Sequence, residues 1–430
     1  MKREKNWKNI EIQEQQYLEI SKLCEEAVKR YKDPSKFFGD NCLRLADGVP
    51  GMLMMYNEIQ KVLKIPTNKL MYDYIEYTLE KVDFSFNDFS LYNGISGFNY
   101  AIRLINRDTG SCIKLLQKMD GFLLTHYSEI VDELLLKKNV NSGMPLLDYE
   151  YDIINGITGT ARYLIAMLED KNNDCYEILF KISNYLVECC LDKVLNDKAV
   201  EGWICQKTDV DNEGKLVVEN SYEYNLGLSH GVPCILSILS LLFIHDINRI
   251  MTKSAIIKIV TWFNKMRTYV VKEGLWPAKL NEDYSNYYGS TRVAWCYGNP
   301  GIASSLNLAA KALKSTEIDK FAQETLRSIF YIPTTRWNVT SPMICHGYAG
   351  ILQILYEVGN QDMVERENQV LIDKLLNCIS YEKTNLFINN DLGRENSTLG
   401  FLEGTSGIIL SLLNTISKAN MHWAEILLLK

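Results

Sequence analysis

Apolar residues along this chain recur at helical spacing, and glycine turns separate the periodic runs. The runs "GMLMMYNEIQKVLKI" from Gly51 and "GTARYLIAMLED" from Gly159 carry apolar residues at positions i, i+3, i+4 and i+7, a pattern that indicates a helix. The stretch "YEILFKISNYLVECCLDKVL" is amphipathic over about five helical turns. The pattern therefore predicts an all-α protein.

A G-x-x-G motif precedes an apolar run at seven places. Its first glycines are Gly48, Gly94, Gly156, Gly231, Gly298, Gly347 and Gly404, at intervals of 46, 62, 75, 67, 49 and 57 residues. Each interval suits two helices with their connections. The motifs use 13 of the 25 glycines, and the fourth has Cys234 in place of its second glycine. Because glycine at a helix N-terminus lets backbones approach closely, seven helix starts are expected around one place.

A closed ring of seven inner and seven outer helices satisfies this repeat, because closure removes the unpaired ends that an open solenoid must cap. We expect one domain over residues 1–430. Residues of about 202–224 break the helical pattern and predict a β-hairpin insertion, with a turn signal at Asn212, Glu213 and Gly214. Residues 274–292 predict an extended, aromatic-rich loop. Both segments precede a glycine motif, so both are expected over one mouth of the ring.

Charge and composition exclude several classes of function. The net charge is −7 and the lysines and arginines are scattered, which argues against nucleic-acid binding. The chain has no signal-peptide pattern and no uncharged apolar stretch of about 18 residues. We therefore expect a cytoplasmic protein that reaches the inner face of the cell membrane only through partners or a peripheral patch. Eleven irregularly spaced cysteines do not indicate a secreted disulfide framework.

Two cysteines occupy equivalent positions in two glycine motifs. Cys296 lies two residues before Gly298, as Cys345 lies two before Gly347, and His346 follows Cys345. Two cysteines and one histidine at adjacent helix entrances are typical of a three-ligand zinc site with an open fourth position. The alternative is two core cysteines and a buried histidine. Spacing does not decide between them, because 49 residues separate the cysteines and no C-x-x-C is present.

Other polar residues lie beside the same motifs. His230 directly precedes Gly231, and a histidine there could move a proton near neutral pH. Asp152 could orient His230, or it could pair with Arg292 so that both charges are tolerated in a partly dry cavity. Each residue taken alone is more often structural. Cys234 either brings a thiol into the cavity or, as we expect, slightly repacks its turn.

The motifs "SHG", "AWCYGNPG", "MICHGYAG" and "GFLEGTSG" occur in this order across the seven glycine turns. They resemble the lanthionine synthetase C family, and most closely its stand-alone bacterial members, over essentially the whole chain. The resemblance implies an α/α toroid in which Cys296, Cys345 and His346 hold Zn²⁺. It also implies that a peptide cysteine adds to dehydroalanine or dehydrobutyrine in the same peptide. His230, Asp152, Arg292 and Tyr297 match active-site positions of the family, and His230 is either the acid or the base.

The resemblance also implies partners and leaves alternatives open. The substrate would be a dehydrated lantibiotic precursor peptide, and a complex with a dehydratase and a peptide transporter is expected. One alternative is a relative that joins glutathione to dehydro residues of proteins, using the same metal and chemistry. Another is a ring that binds peptides without catalysis. Carbohydrate-processing α/α barrels are disfavoured, because they need paired carboxylates where these motifs carry cysteine and histidine.

Overall fold

The computed structural model describes residues 14–82, 88–140, 143–210, 216–271, 273–285, 287–288, 292–387, 389–391, 394–396, 398–417 and 419–430. Its α-helices are α1 (Glu14–Arg30), α2 (Val49–Leu63), α3 (Asn68–Lys81), α4 (Ile95–Thr109), α5 (Ile113–Val140), α6 (Asp148–Tyr151), α7 (Ile157–Glu169), α8 (Tyr176–Glu188), α9 (Val232–Ile244), α10 (Arg249–Val270), α11 (Asn299–Leu313), α12 (Thr316–Arg327), α13 (Tyr348–Val358), α14 (Gln361–Leu376) and α15 (Thr405–Ile416). Among the described residues, no helix is both long and apolar enough to cross a membrane.

Seven of these helices begin directly after the first glycine of a motif, as predicted, and that glycine is the N-cap residue each time: α2, α4, α7, α9, α11, α13 and α15. These helices are largely buried; in α15 every residue is buried. They alternate along the chain with helices that expose one side: α1, α3, α5, α8, α10, α12 and α14. The short α6 is an addition to this alternation.

The helices pack into two compact units. One contains the described residues of Met1–Leu123 and Val339–Leu428 with Lys430, and the other contains Leu124–Asn338 with Leu429. In the first unit α2 packs against α4 and α15, and α13 packs against α15. In the second, α9 packs against α7 and α11. The expectation of a single domain over the whole chain stays a prediction.

Backbone hydrogen bonds join the glycine turns of the first unit. The Cys345 N–H donates to the carbonyl of Leu402, and the Leu402 N–H donates to the carbonyl of Ala46. The Ala46 N–H in turn donates to the carbonyl of Tyr92, and all three N···O distances are 3.0 Å. Each of these residues lies two positions before a first glycine. Position in the repeat therefore determines which backbone groups of neighbouring turns meet.

The turns of the second unit are joined in the same way. The Ile153 N–H donates to the carbonyl of Ser229 at 3.2 Å, and the Ser229 N–H donates to the carbonyl of Cys296 at 3.3 Å. Ser229 and Cys296 again lie two residues before a first glycine. The Cys296 backbone is thus tied to the turn that carries the next residue of interest, His230.

The second glycine of the motif lets adjacent turns pack closely. A Cβ added to Gly97 would lie 2.6 Å from the Cβ of Leu45, and one added to Gly301 would lie 2.9 Å from the Cβ of Leu228. Carbon atoms in contact are normally about 3.5–4.0 Å apart, so a side chain would push these turns apart. At the fourth motif Cys234 occupies this position and is fully buried. That turn therefore accommodates a side chain where the other six motifs have none.

Among the described residues, three small sheets accompany the helices. Their strands are β1 (Lys193–Leu195), β2 (Lys198–Val200), β3 (Cys205–Val210), β4 (Leu216–Asn225), β5 (Lys279–Asn281), β6 (Tyr287–Tyr288), β7 (Asn389–Asp391) and β8 (Arg394–Asn396). The pairs β1–β2 and β7–β8 are antiparallel. The central sheet has the order β3-β4-β5-β6, and every neighbouring pair in it is antiparallel.

The central sheet occupies the two segments that interrupt the helical pattern. In the segment 202–224, β3 and β4 pair as a hairpin would, while the predicted turn at Asn212, Glu213 and Gly214 lies outside the described residues. The segment 274–292 was expected to be an extended loop, and instead it contributes β5 and β6. Of these, β5 pairs with β4, a partner distant in sequence that the local pattern does not reveal, and β6 pairs with β5.

Candidate active site and metal centre

Three residues predicted as metal ligands lie together. The ligand atoms of Cys296, Cys345 and His346 are all within 4.8 Å of one another, and no other such group of three His, Cys, Asp or Glu residues occurs in the part of the chain that the structure describes. Cys296 is buried, with 8% of its surface exposed, whereas Cys345 and His346 are half-buried. Each of the two cysteines lies two residues before a first glycine.

The backbone around each cysteine is held by local hydrogen bonds. After Cys345, the Tyr348 N–H donates to the Ser341 carbonyl at 3.0 Å. Around Cys296, the Ala294 N–H donates to the Tyr297 carbonyl at 3.0 Å. The turn around Cys296 is tight and requires glycine at the residue that follows it, Gly298.

Gly298 is the N-cap of α11 and has φ +95° and ψ −169°, a conformation that is essentially restricted to glycine. A Cβ at this position would lie 1.8 Å from the carbonyl oxygen of Arg292. Any side chain would therefore open the turn that positions Cys296.

The donor set fits zinc. Zn–S distances of about 2.3 Å and Zn–N distances of about 2.0–2.1 Å place the ligand atoms of a tetrahedral ion about 3.5–3.8 Å apart. The observed upper limit of 4.8 Å needs only small side-chain movements to reach this spacing. Two thiols and one imidazole are ligands that zinc prefers. Three protein ligands would leave one coordination position for another molecule.

His230 is oriented by a buried carboxylate. Its Nδ1 lies 2.5 Å from Oδ2 of Asp152, and Asp152 is only 1% exposed. The other carboxylate oxygen, Oδ1, accepts hydrogen bonds from the backbone N–H groups of Asn155 at 2.7 Å and Gly156 at 2.8 Å. Of the two roles predicted for Asp152, these contacts support the orientation of His230. Because Nδ1–H donates to Asp152, Nε2 is the nitrogen left to act on a substrate.

The backbone of His230 is also held in place. The hydroxyl of Tyr151 donates to the carbonyl of His230 at 2.9 Å and contacts the sulfur of Cys205 at 3.0 Å. The Ile153 N–H bond to Ser229, described above, fixes the preceding residue. Residues on both sides of Asp152 thus anchor the turn that carries His230.

The electrostatic surroundings raise the pKa of His230. Burial lowers this pKa, but the hydrogen bond and negative charge of Asp152, with smaller contributions from Asp148 and Cys296, more than offset the burial, so the pKa lies above its ordinary value of 6.5. Burial raises the pKa of Asp148, while the charge of His230 lowers it and that of Asp152 raises it. The imidazole therefore stays protonated to higher pH than a histidine in water.

Tyr297 is placed by a residue that the sequence analysis missed. The side-chain amide of Asn225 donates to the Tyr297 hydroxyl at 3.3 Å, and burial raises the pKa of Tyr297. Asn225 is the last residue of β4. Asp148, which the sequence analysis also did not indicate, is the first residue of α6 and lies four residues before Asp152. The spacing of Asp148 and Asp152 was the only available sequence signal, and none pointed to Asn225.

Two further predicted residues, Arg292 and Cys234, lie in or beside the glycine motifs. Arg292 is half-buried on the loop that leads to Cys296, and its role stays a prediction. Cys234 is fully buried, and burial holds the pKa of its thiol well above the ordinary value. The expected repacking of its turn stays a prediction. Nine of the eleven cysteines are buried, and Cys345 and Cys378 are half-buried.

Comparisons with known proteins match nearly the whole chain. A family model described as "Lanthionine synthetase C-like protein" matches residues 40–428. The "Nisin biosynthesis protein NisC" of Lactococcus lactis subsp. lactis is 26% identical over 432 residues, which cover 95% of this chain and 94% of that protein. The solved structure of "Nisin cyclase" aligns with a TM-score of 0.74 at 23% identity, covering 95% of this chain and 97% of that one. This structural likeness confirms the predicted α/α toroid fold.

Proposed function

Because the chain belongs to the lanthionine synthetase C-like family, as its motifs predicted, we propose that it is a zinc-dependent lantibiotic cyclase. Its substrate would be a dehydrated precursor peptide, and its products lanthionine and methyllanthionine rings. The observation that carries this proposal is the convergence of Cys296, Cys345 and His346, the donor set of an open zinc site. The likeness to the nisin biosynthesis protein supports the choice of substrate class.

The reaction is an intramolecular addition of a thiol to a dehydro residue. The cysteine sulfur forms a bond to the β-carbon of dehydroalanine or dehydrobutyrine, and the carbon–carbon double bond becomes single. The thiol loses one proton, and the α-carbon gains one. The protein must therefore ionise the thiol, stabilise the enolate that forms, and deliver a proton.

Cys296, Cys345 and His346 would hold the metal and leave one position open. A peptide thiol in that position would be ionised at neutral pH, because metal coordination lowers the pKa of a thiol far below about 8.5. Because Cys345 and His346 are half-buried, whereas Cys296 is buried, a peptide thiol would approach from the side of Cys345 and His346.

His230 is the group that we assign to proton delivery. Its Nε2 is directed away from Asp152, and its raised pKa favours the imidazolium, the form that a general acid needs. Asp152 fixes the ring orientation and stabilises the positive charge. The same histidine could accept the thiol proton earlier in the cycle, but the direction of its pKa shift favours the role of acid.

Tyr297 and Arg292 would act on the developing negative charge. The enolate places charge on the carbonyl oxygen next to the α-carbon, and donors already aimed at such an oxygen are a large source of catalysis. A phenolic O–H and a guanidinium are both suitable donors. The dehydro residues themselves require a separate dehydratase reaction, so the proposal includes a complex with a dehydratase and a peptide transporter, as the family resemblance implies.

The test combines metal analysis with ring closure. Purified protein, assayed with dehydrated nisin precursor as the probe, should contain about one zinc per chain and should consume peptide thiols without a change in peptide mass. The variant Cys296→Ala should lose both the zinc and the activity. Cys378→Ala is the matched control, because Cys378 is a half-buried cysteine whose thiol donates to the Lys374 carbonyl.

The outcomes separate the proposed function from its alternatives. Zinc without ring closure, but with addition of glutathione to a dehydroalanine protein, would favour the glutathione-transferring relative. Peptide binding without zinc, unchanged in Cys296→Ala, would leave a non-catalytic peptide-binding ring and overturn the proposal.

A further inference from the structure

Asn225 joins the end of the central sheet to a residue of the candidate site. It is the last residue of β4 and is only 1% exposed. Its Oδ1 accepts a hydrogen bond from the backbone N–H of Gly227 at 3.0 Å, and its Nδ2 lies 3.3 Å from the hydroxyl oxygen of Tyr297. One buried amide therefore contacts both the loop before His230 and the phenol beside Cys296.

The contact with Gly227 fixes the orientation of the amide. A backbone N–H can only donate, so the atom facing Gly227 must be the amide oxygen, which leaves the NH₂ group facing Tyr297. An amide NH₂ group can only donate hydrogen bonds, so the hydroxyl oxygen of Tyr297 must accept the bond from Asn225. The phenolic proton is then directed elsewhere. Among the residues that the structure describes, no protein acceptor for this proton is seen.

The ring of Tyr297 has little freedom to turn away. A Cβ added to Gly227 would lie 2.6 Å from Cε1 and 2.8 Å from Cδ1 of the ring, so the ring packs directly on the Gly227 backbone. The side-chain oxygen of Asn225 also lies close to Gly231, the N-cap of α9. The geometry thus holds the ring, the amide and the turn of His230 as one packed group.

We propose that Asn225 is a positioning residue that makes Tyr297 a hydrogen-bond donor to the substrate. The inference rests on the proposed function, because the acceptor is the peptide carbonyl oxygen that gains charge when the thiolate adds to the dehydro residue. Asn225 does not touch the peptide; it acts by occupying the acceptor side of the phenol. No proton is transferred in this interaction.

Two substitutions separate this role from a structural brace. Asn225→Ala removes both hydrogen bonds and the volume of the side chain. Asn225→Asp keeps the shape and the acceptor for Gly227, but replaces the donor by an acceptor, so the phenolic proton is drawn to the new carboxylate. A structural brace predicts that Asn225→Asp is the milder change. The proposed polarity predicts that it lowers kcat for ring closure at least as much as Asn225→Ala, by about fivefold to tenfold, the value of one neutral hydrogen bond.

The dependence on pH supplies a second readout. Protonation of the introduced carboxyl restores an O–H donor facing Tyr297, so the activity of Asn225→Asp relative to the parent protein should rise as the pH falls. The activity of Asn225→Ala relative to the parent should not. Parallel pH profiles for the two variants would contradict the proposed polarity.

The background Tyr297→Phe completes the test. In Tyr297→Phe, which lacks the hydroxyl, the added substitution Asn225→Ala should cause little further loss of kcat. If Asn225 had only a structural role, Asn225→Ala would cause the same loss of kcat in Tyr297→Phe as in the parent protein. Zinc content and the urea midpoint are measured for every protein, so that unfolding is not mistaken for lost catalysis. If Asn225→Asp does not fold, the double-mutant cycle of Asn225→Ala and Tyr297→Phe still distinguishes the two roles of Asn225.

The outcomes also separate this inference from the proposed function. A parent protein that binds zinc and closes rings, with Asn225 variants equal to it, overturns the role of Asn225 alone. A parent protein that closes no rings overturns both.

Discussion

Two sets of glycine turns in this protein share a backbone pattern and differ in their side chains. The turns around Ser229 and Cys296 are joined by the same kind of backbone hydrogen bond as those around Leu402 and Ala46. In the first set, the residues directly before the first glycine are His230 and Tyr297, and in the second they are Glu403 and Asp47. The repeat therefore supplies the scaffold, and single positions within it supply the chemistry.

The difference extends to the partners of those side chains. His230 is held by the buried Asp152, and Tyr297 is held by the buried Asn225. Asp47 instead pairs with Arg44 at 3.1 Å, with more than a third of each side chain exposed. The Arg44–Asp47 pair is thus half-buried, and ion pairs that keep contact with water contribute little, typically 0 to about 1 kcal/mol. Chemistry is thus expected where a motif residue has a buried polar partner from outside the motif.

The largest effect is expected from the residue directly before the first glycine, and it tests whether the chemistry depends on that single position. His346 and Glu403 both directly precede a first glycine, on turns joined by the Cys345–Leu402 hydrogen bond. His346→Ala should lose zinc and lower kcat/KM by roughly 1,000-fold, because metal polarisation contributes several kcal/mol. Glu403→Ala should keep its zinc. Elemental analysis of both variants decides, and equal zinc loss would show that the turn, and not the ligand, is what matters.

The next largest effect on kcat is expected from the carboxylate that holds His230. Asp152→Asn keeps the size of the side chain but removes the charge that orients His230, and should lower kcat by about 100-fold, within the range of general acid–base catalysis. Asp47→Asn, the matched change at the half-buried Arg44–Asp47 pair, should leave kcat within about twofold. Steady-state kinetics on the two variants compares them directly. A similar loss in both would show that surface charge, rather than the Asp152–His230 bond, controls the rate.

Asp152→Asn should also change the pH profile in a defined direction. In the parent protein Asp152 holds the pKa of His230 above 6.5, against the opposing effect of burial. Without that charge, burial lowers the pKa, so the imidazolium is lost at lower pH. If His230 is the acid, the alkaline limb of kcat/KM moves to lower pH. An acidic limb that moves instead would assign His230 as the base.

A smaller effect, on stability, comes from the glycines themselves. Gly298 is the one first glycine in the seven motifs with a positive φ, whereas Gly48 has φ −101°. Both would place a new Cβ too close to backbone oxygen. Gly298→Ala should therefore reduce the free energy of unfolding by about 1–3 kcal/mol more than Gly48→Ala, the cost of the unfavourable backbone conformation. Urea denaturation measures both.

The same comparison explains how far sequence reasoning reached. Cys296 and Cys345 were identifiable because the repeat places equivalent positions in equivalent surroundings. Asn225 was not, because its contact with Tyr297 spans 72 residues and depends on where β4 ends. The strands β5 and β6 are only three and two residues long, and β5 joins the sheet through β4, which is distant in sequence. Contacts within the repeat could be predicted, and contacts made by its insertions could not.

The smallest expected effect comes from restoring the repeat at its one departure. Cys234→Gly returns the fourth motif to G-x-x-G, but it removes a fully buried side chain from the first turn of α9 and adds backbone freedom. Glycine within a helix costs about 1 kcal/mol, so the urea midpoint should fall slightly. Because the thiol lies in the core, kcat should not change. A marked fall in kcat with the midpoint unchanged would instead place the Cys234 thiol in the reaction, and would make the fourth turn chemically unlike every other turn in the repeat.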